Sequence, residues 1–325
     1  MSALRVSVLV LCVSASGAAG AVDLPGPVVS PAWLAEHRDA VVVLDVRSDL
    51  DAFTAAPEYE TDAKTGAQKL VAAGGHIAGA RLIDFNQTRV ARMVGEVKID
   101  KMLPSRAEVQ ALVRAAGVGD DDVLVITSVG EASDEVDMAA RLYWTLKSYG
   151  ETDLALLDGG NVAWIAAGQP VSTEPMGEVA AGDWTARELD RRWLAEIDDI
   201  KPADGGAPQL VDARPAPQYH GIYYKKPAVT AGGHVEGAVN FPIDLQTRQV
   251  GLAQTFMQAE QYRTLLKTVG IEPQPGAISY CNTGHMAAGA WFVLSEIMGI
   301  EGVRLYDGSM HEWTTLGRPV VGVGF

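Results

Sequence analysis

A chain of 325 residues is long for one hydrophobic core and comfortable for two domains of ordinary size. With 48% hydrophobic and 21% charged residues it can bury a large core, which excludes a disordered chain. Forty-one acidic against 26 basic residues give a net charge of −15, which argues against nucleic acid or an anionic membrane as partner. An anionic substrate would therefore need a positive field built locally.

Residues 1–21 read as an export signal. Arg5 supplies a positive start, residues 6–13 form an apolar run interrupted only by Ser7, and Ala19-Gly20-Ala21 fits a small-residue cleavage site. The run is shorter than the roughly 20 apolar residues a spanning helix needs, and Leu11 is too bulky to precede a lipoprotein cysteine at Cys12. The expected location is periplasmic or secreted, with no integral membrane segment after cleavage. Loss of Cys12 leaves one thiol, Cys281, in a compartment that favours disulfides. No internal bridge can form, so Cys281 is either an inert core residue or a reactive thiol.

The remainder repeats itself. Trp33-Leu34-Ala35-Glu36 recurs as Trp193-Leu194-Ala195-Glu196, and Leu44-Asp45-Val46-Arg47 as Val211-Asp212-Ala213-Arg214. Gly74-Gly75-His76 recurs as Gly232-Gly233-His234, and Leu157-Asp158-Gly159-Gly160 as Tyr306-Asp307-Gly308-Ser309. This divides the chain into residues 27–171, a Gly-, Glu- and Ala-containing connection over 172–183, and residues 184–325. Short β-branched runs at 123–126 and 277–280 precede helical patterns at 138–148 and 287–298. Strands alternating with helices predict an α/β fold, two tandem domains each built on a mainly parallel sheet flanked by helices.

In such sheets chemistry sits in the loops after the strands, and Cys281 occupies one. In Cys281-Asn282-Thr283-Gly284-His285-Met286 a strand ends and a helix begins near Ala287. Gly284 permits a curl closed to other residues, so that backbone N–H groups turn inward and, with the start of the helix, stabilise an anion at the sulfur. A cysteine at a strand end is ordinarily structural; the polarity of Asn282 to His285 argues for the reactive reading. That reading expects inward-facing N–H donors and a mouth open to water.

The chain resembles the two-domain rhodanese-type sulfurtransferases. The residues that carry the likeness are the Asp-x-Arg pairs Asp45/Arg47 and Asp212/Arg214, the Gly-His-x-x-Gly-Ala motifs at His76 and His234, the Cys-x-x-Gly-x-x-Ala loop at Cys281, and the Tyr-Asp-Gly-Ser-x-x-Glu-Trp segment ending at Trp313. The resemblance implies that Cys281 takes a sulfane sulfur from a small anionic donor, becomes a persulfide, and passes the sulfur to a thiophilic acceptor such as cyanide or a thiol. No metal or organic cofactor is required. The logic is that of covalent catalysis in two half-reactions.

Position 128 of the first half, aligned with Cys281, is Ser128, and the segment after it reads as longer and acidic, with Glu131, Asp134 and Glu135. The first domain is thus expected to be inactive and to wall one side of the site. Supporting roles fall to Asp212 and Arg214, which either orient the loop or only pin the strand end. Arg248, Lys225 and Lys226 are candidates for the local positive field, the lysines lying in a 220–230 segment read as an insertion relative to the first half. Asn282, Thr283, Gly284, His285 and Met286 are expected to line the donor site. His234 has a twin, His76, and is expected to cap structure.

Two departures leave the donor open. Thiosulfate-using members resemble this chain but carry basic residues where Asn282 and Thr283 stand, and a substrate-binding arginine of some falls near Gln218. The Cys-Gly-Ser-Gly loop of mercaptopyruvate-using members is absent too. A cysteine phosphatase is disfavoured because the phosphate-clamping arginine position holds Ala287. A disulfide oxidoreductase is disfavoured by the lack of a resolving cysteine. A sulfur carrier that delivers persulfide to a partner protein needs the same Cys281 and stands as the alternative to an enzyme.

Overall fold

A computed structural model describes residues 22–201 and 207–323; residues 1–21, read above as an export signal, lie outside them. In the first half, β1 (Val28–Val29), β2 (Val42–Arg47), β3 (Arg81–Asp84), β4 (Leu124–Thr127) and β5 (Leu154–Leu157) form one sheet in the order β1-β5-β4-β2-β3. Every pairing in it is parallel. Strands such as β4 are buried along their whole length, as expected where helices cover both faces of a parallel sheet. Those helices are α1 (Pro31–His37), α2 (Arg106–Ala115), α3 (Ser133–Ser148) and α4 (Gly160–Ala166). Local sequence starts them. The Ser30 hydroxyl accepts the Trp33 N–H at 3.1 Å ahead of Pro31, and Ser105 and Glu108 cap α2 reciprocally.

The second half repeats the plan with β6 (Leu194–Ala195), β7 (Leu210–Asp212), β8 (Val239–Asn240), β9 (Ile278–Tyr280) and β10 (Arg304–Tyr306). Their order is β6-β10-β9-β7-β8, again all parallel. Helices α5 (Ala216–Tyr219), α6 (Ala259–Thr268), α7 (Met286–Trp291) and α8 (Ser309–Thr315) accompany it, and α7 runs on into a π-helical turn over Phe292–Ile297. The fold class is the one expected.

One continuous core joins the halves, from Leu44 and Ile126 through Tyr143 and Trp144 of α3 to Trp291, Phe292 and Leu305. Helix α3 packs on α7. Gly289 makes the approach possible, because a Cβ there would lie 1.8 Å from Asp137 Oδ1. At the rim, the Tyr143 hydroxyl and the Lys147 ammonium both donate to Glu296 at 2.9 Å. Burying this much apolar surface between the domains holds their relative orientation.

Three readings of the repeat need correction. The two Trp-Leu-Ala-Glu segments are not equivalent: residues 33–36 lie in α1, whereas Leu194–Ala195 is the edge strand β6, the counterpart of Val28–Val29. Pairing with β10 decides the second case, overriding local preference. Nor is the 220–230 segment an insertion. From the Asp-x-Arg pair to the Gly-His motif the first half is the longer, and its extra residues form an exposed antiparallel hairpin, Glu58–Thr61 with Gln68–Ala72. The connection between the domains also stays on the first domain beyond residue 183. Trp184 is buried there, donating to Glu151 at 2.7 Å, and the Asp190 N–H reaches the Ser148 carbonyl.

Candidate active site

Strand register fixes which residues of the two halves correspond. Asp212 of β7 pairs with Tyr280 of β9, and Asp45 of β2 pairs with Thr127 of β4, so the next residues, Cys281 and Ser128, occupy the same place. The loops that follow, residues 281–285 and 128–132, are five residues each, since α7 begins at Met286 and α3 at Ser133. The first domain's loop is therefore not longer, as its sequence suggested. Its acidity is what differs. The Glu135 carboxylate accepts the N–H groups of Glu131 and Ala132 at 2.8 and 3.2 Å, and Glu131 accepts the N–H of Ala73. That loop supplies its own anion. In the second domain the residue two into the helix is Ala288, which has none to give.

The cysteine loop is shaped by Ser309. Its hydroxyl accepts the backbone N–H groups of Cys281 and Gly284, both at 3.1 Å, and donates to the Tyr306 carbonyl at 2.8 Å. To do so Ser309 takes φ +51°, a left-handed conformation in which the equivalent Gly160 sits at +59°. A side chain there costs about 1–2 kcal/mol. The Met310 and His311 N–H groups then bond the Cys281 and Asn282 carbonyls at 3.0 and 2.9 Å, closing the loop against α8. Among the described residues the N–H groups of Asn282, Thr283, His285 and Met286 have no protein acceptor. Gly284 is at φ +71°, and a Cβ on it would fall 2.5 Å from Arg141 Nη1.

The cysteine itself is fully buried, not open to water as expected. The loop is covered from the first domain. Arg141 of α3 donates to the Gly284 carbonyl at 3.1 Å and meets Asp307 at 2.6 Å, as an ion pair more than an aligned hydrogen bond. Asp307 also accepts the N–H of Leu103. The ring of His285 reaches the Asp134 carbonyl at 2.8 Å and leans on Phe85, with centroids 4.7 Å apart. A small molecule can reach the sulfur only when some of this cover shifts.

The positive field around Cys281 comes mainly from residues the sequence reading did not single out. Arg89 and Lys101 of the first domain and Arg214 all lie within electrostatic reach of Cys281. Burial, then Arg141, lowers Arg89 to about 10, opposed by Cys281 and Asp307, so Arg89 stays cationic at neutral pH. Lys101 is lowered by burial and then by Arg89 and Lys225. His285 is lowered to about 3, by burial first and Arg89 second. It is neutral at working pH and adds no charge to the field.

The remaining candidates divide. Arg214 and Asp212 are buried in a two-pronged pair, with contacts of 2.6–3.1 Å, and Arg214 also holds the Gly233 carbonyl at 2.7 Å. Arg47 and Asp45 do the same with Gly75 in the domain that has no cysteine, so this pairing is architectural. His234 stacks on Tyr219 and bonds its carbonyl as His76 stacks on Phe53 and bonds its own. The Asn282 amide turns away to Gln218 at 2.8 Å, while Thr283 and Met286 stay half-buried in the loop. Lys225 lies near His285 and Lys101, whereas Lys226 lies over Tyr224.

Arg248 is not brought to Cys281. It begins the hairpin Arg248–Val250 with Ala253–Thr255, which packs on the first domain's loop, where Asp158 feels its charge. Its twin Arg89 is the one at Cys281. The signal was present in the repeated Gln-Thr-Arg at 87–89 and 246–248; what was invisible is that each domain lends this segment to the other.

A five-stranded parallel sheet repeated in tandem, with a cysteine loop at the end of the second copy's central strand, defines a two-domain sulfurtransferase architecture. Residues 30–167 and 195–316 match the rhodanese-like domain model, and the chain belongs to that family. It is 32% identical over 294 residues to a provisionally named thiosulfate sulfurtransferase of Haloferax volcanii, covering 87% of this chain and 96% of the relative. It is 29% identical over 310 residues to a sulfur carrier protein, TtuD, of Thermus thermophilus, covering 91% and 96%. The fold superposes on 3-mercaptopyruvate sulfurtransferase from Leishmania major with TM-score 0.70 at 23% identity, covering 90% of this chain and 75% of that one. An anaerobic ergothioneine biosynthesis enzyme from Chlorobium limicola gives 0.72 at 18%, covering 92% and 71%.

Proposed function

We propose that the protein moves a sulfane sulfur from thiosulfate or a related donor, through a persulfide on Cys281, to cyanide or a thiol. The observation that carries this is the loop that begins with the lone thiol at the end of β9, in which Ser309 gathers two N–H groups while, among the described residues, those of Asn282, Thr283, His285 and Met286 are left without protein acceptors. In the first half-reaction the Cys281 thiolate attacks the outer sulfur of thiosulfate; the S–S bond breaks and sulfite leaves with its electron pair. In the second, cyanide attacks the terminal sulfur of the persulfide, thiocyanate leaves, and the thiolate returns. The balance needs no external oxidant or reductant.

A second reading is favoured by the sulfur carrier relative, which aligns over nearly the full length of both chains: Cys281 loads once and unloads only to a protein partner. Intact-mass measurement after incubation with thiosulfate or mercaptopyruvate tests both. The expected gain is one sulfur atom on Cys281, removed by cyanide and absent in Cys281→Ser. No gain with either donor sinks the transfer reading, and a gain that cyanide and small thiols cannot discharge favours the carrier. The reading includes export after cleavage at Ala21 to a periplasmic or extracellular site, so the secreted protein should begin at Val22 on N-terminal sequencing.

A further inference from the structure

We propose that Arg89 and Lys101, two cations of the domain that lacks a cysteine, form the binding site for the anionic end of the donor and select a compact, doubly charged one such as thiosulfate. This rests on the reading of Cys281 as the sulfur acceptor. The cations near the loop are not alike. Arg141 is committed to Asp307 and the Gly284 carbonyl, and Arg214 to Asp212 and the Gly233 carbonyl. Arg89 has neither an ion pair nor a hydrogen bond among the described residues, and its Nε is buried without a partner. Its guanidinium lies 4.0 Å from the Phe85 ring centroid, and Phe85 in turn touches His285 of the cysteine loop. A guanidinium held over Phe85 at the edge of the cysteine loop and left unpaired is arranged for an anion that comes from outside.

Lys101 supplies the second charge. Among the described residues just two that are not glycine have positive φ, Lys101 at +67° and Ser309 at +51°, and both belong to this site. Lys101 lies on the hairpin Val90–Val94 with Val97–Met102, whose second strand packs against α8. The Leu103 N–H beyond it is tied to Asp307. A hairpin fixed at that point holds a strained residue near the sulfur, and strain of this kind is kept where the surroundings over-determine it.

The pseudo-symmetric place in the first domain supplies the comparison. There the hairpin of the second domain brings Arg248 toward the Ser128 loop, with the Gln254 N–H on the Gly130 carbonyl and the Phe256 N–H on Asp158, both at 2.8 Å. That loop's N–H groups are filled by Glu135, a carboxylate of its own. At the cysteine loop the matching carboxylate is gone and a second cation, Lys101, is added. Two positive charges match a dianion better than a monoanion, and they remain matched to sulfite as it leaves.

The test measures single-turnover sulfite release from thiosulfate, and alkylation of Cys281 by iodoacetate against neutral iodoacetamide. Arg89→Gln and Lys101→Gln should each lower the thiosulfate rate constant by about 10- to 100-fold, the range for a lost charge-assisted contact. Arg89→Lys should recover part of it. In the Gln variants the iodoacetate-to-iodoacetamide ratio should fall several-fold, because only the charged reagent loses an attraction. Lys98→Gln, on the same hairpin but solvent-exposed, should leave both unchanged. Equal loss with both alkylating reagents, or a change under about 2-fold with thiosulfate, overturns the proposal. If no donor loads sulfur while the alkylation ratio still falls, the anion site stands and the transfer reading fails.

Discussion

Replacing Ser309 separates two effects that this residue combines. Its hydroxyl closes two buried N–H groups and one carbonyl, while its backbone holds a left-handed angle suited to glycine. Ser309→Ala removes the hydroxyl and keeps the strain. Two orphaned buried N–H groups cost about 1–3 kcal/mol each, of which relaxation recovers a part, so a loss of about 3 kcal/mol is expected. Ser309→Gly loses the same bonds but recovers about 1 kcal/mol of backbone strain, leaving a loss of about 2 kcal/mol. Urea unfolding of the two variants and the parent measures the order. Sulfur transfer should fall by more than about 10-fold in both, because the anchor that sets the Cys281 and Gly284 backbones is gone in both. A glycine variant no more stable than the alanine variant would refute the strain argument. Full activity in either would refute the loop-shaping role.

Asp307→Asn leaves Arg141 buried opposite a neutral group and should cost about 3–5 kcal/mol, measurable as a lowered urea midpoint. His285 adds a pH dependence of known sign. Its folded pKa of about 3 lies below the unfolded value, so the unfolded chain takes up the proton first and stability is lost as pH falls from about 6.5 toward 3. Halved for its partial exposure, the loss is about 2 kcal/mol at pH 4. His285→Gln should remove that part of the acid slope and leave the curve above pH 7 parallel to the parent, whereas an unchanged slope would show that His285 does not stay neutral.

Several features were legible because they are written locally. The apolar runs at 123–126 and 277–280, each ahead of a helical pattern, and the order of the repeated motifs announced two parallel-sheet domains before any contact was known. The setting of Cys281 was legible for the same reason: a polar, glycine-bearing turn between a strand and a helix can be read within ten residues. The Trp-Leu-Ala-Glu repeat misled because four residues do not hold a conformation by themselves. At Trp33 they join a capped helix, and at Trp193 the partner strand β10 takes them.

What the sequence determined by itself was thus the pair of sheets and the place of the lone thiol in a loop after a strand, both products of short-range pattern. What the tertiary structure decided was which charges surround that sulfur. Arg89 and Arg248 stand in identical Gln-Thr-Arg settings, and nothing within either half distinguishes them. The exchange of hairpins across a shared core sends Arg89 to Cys281 and Arg248 to the loop that Glu135 already fills. Electrostatic interaction depends on distance through space and not along the chain, so the field at the thiol is a property of the packed pair of domains.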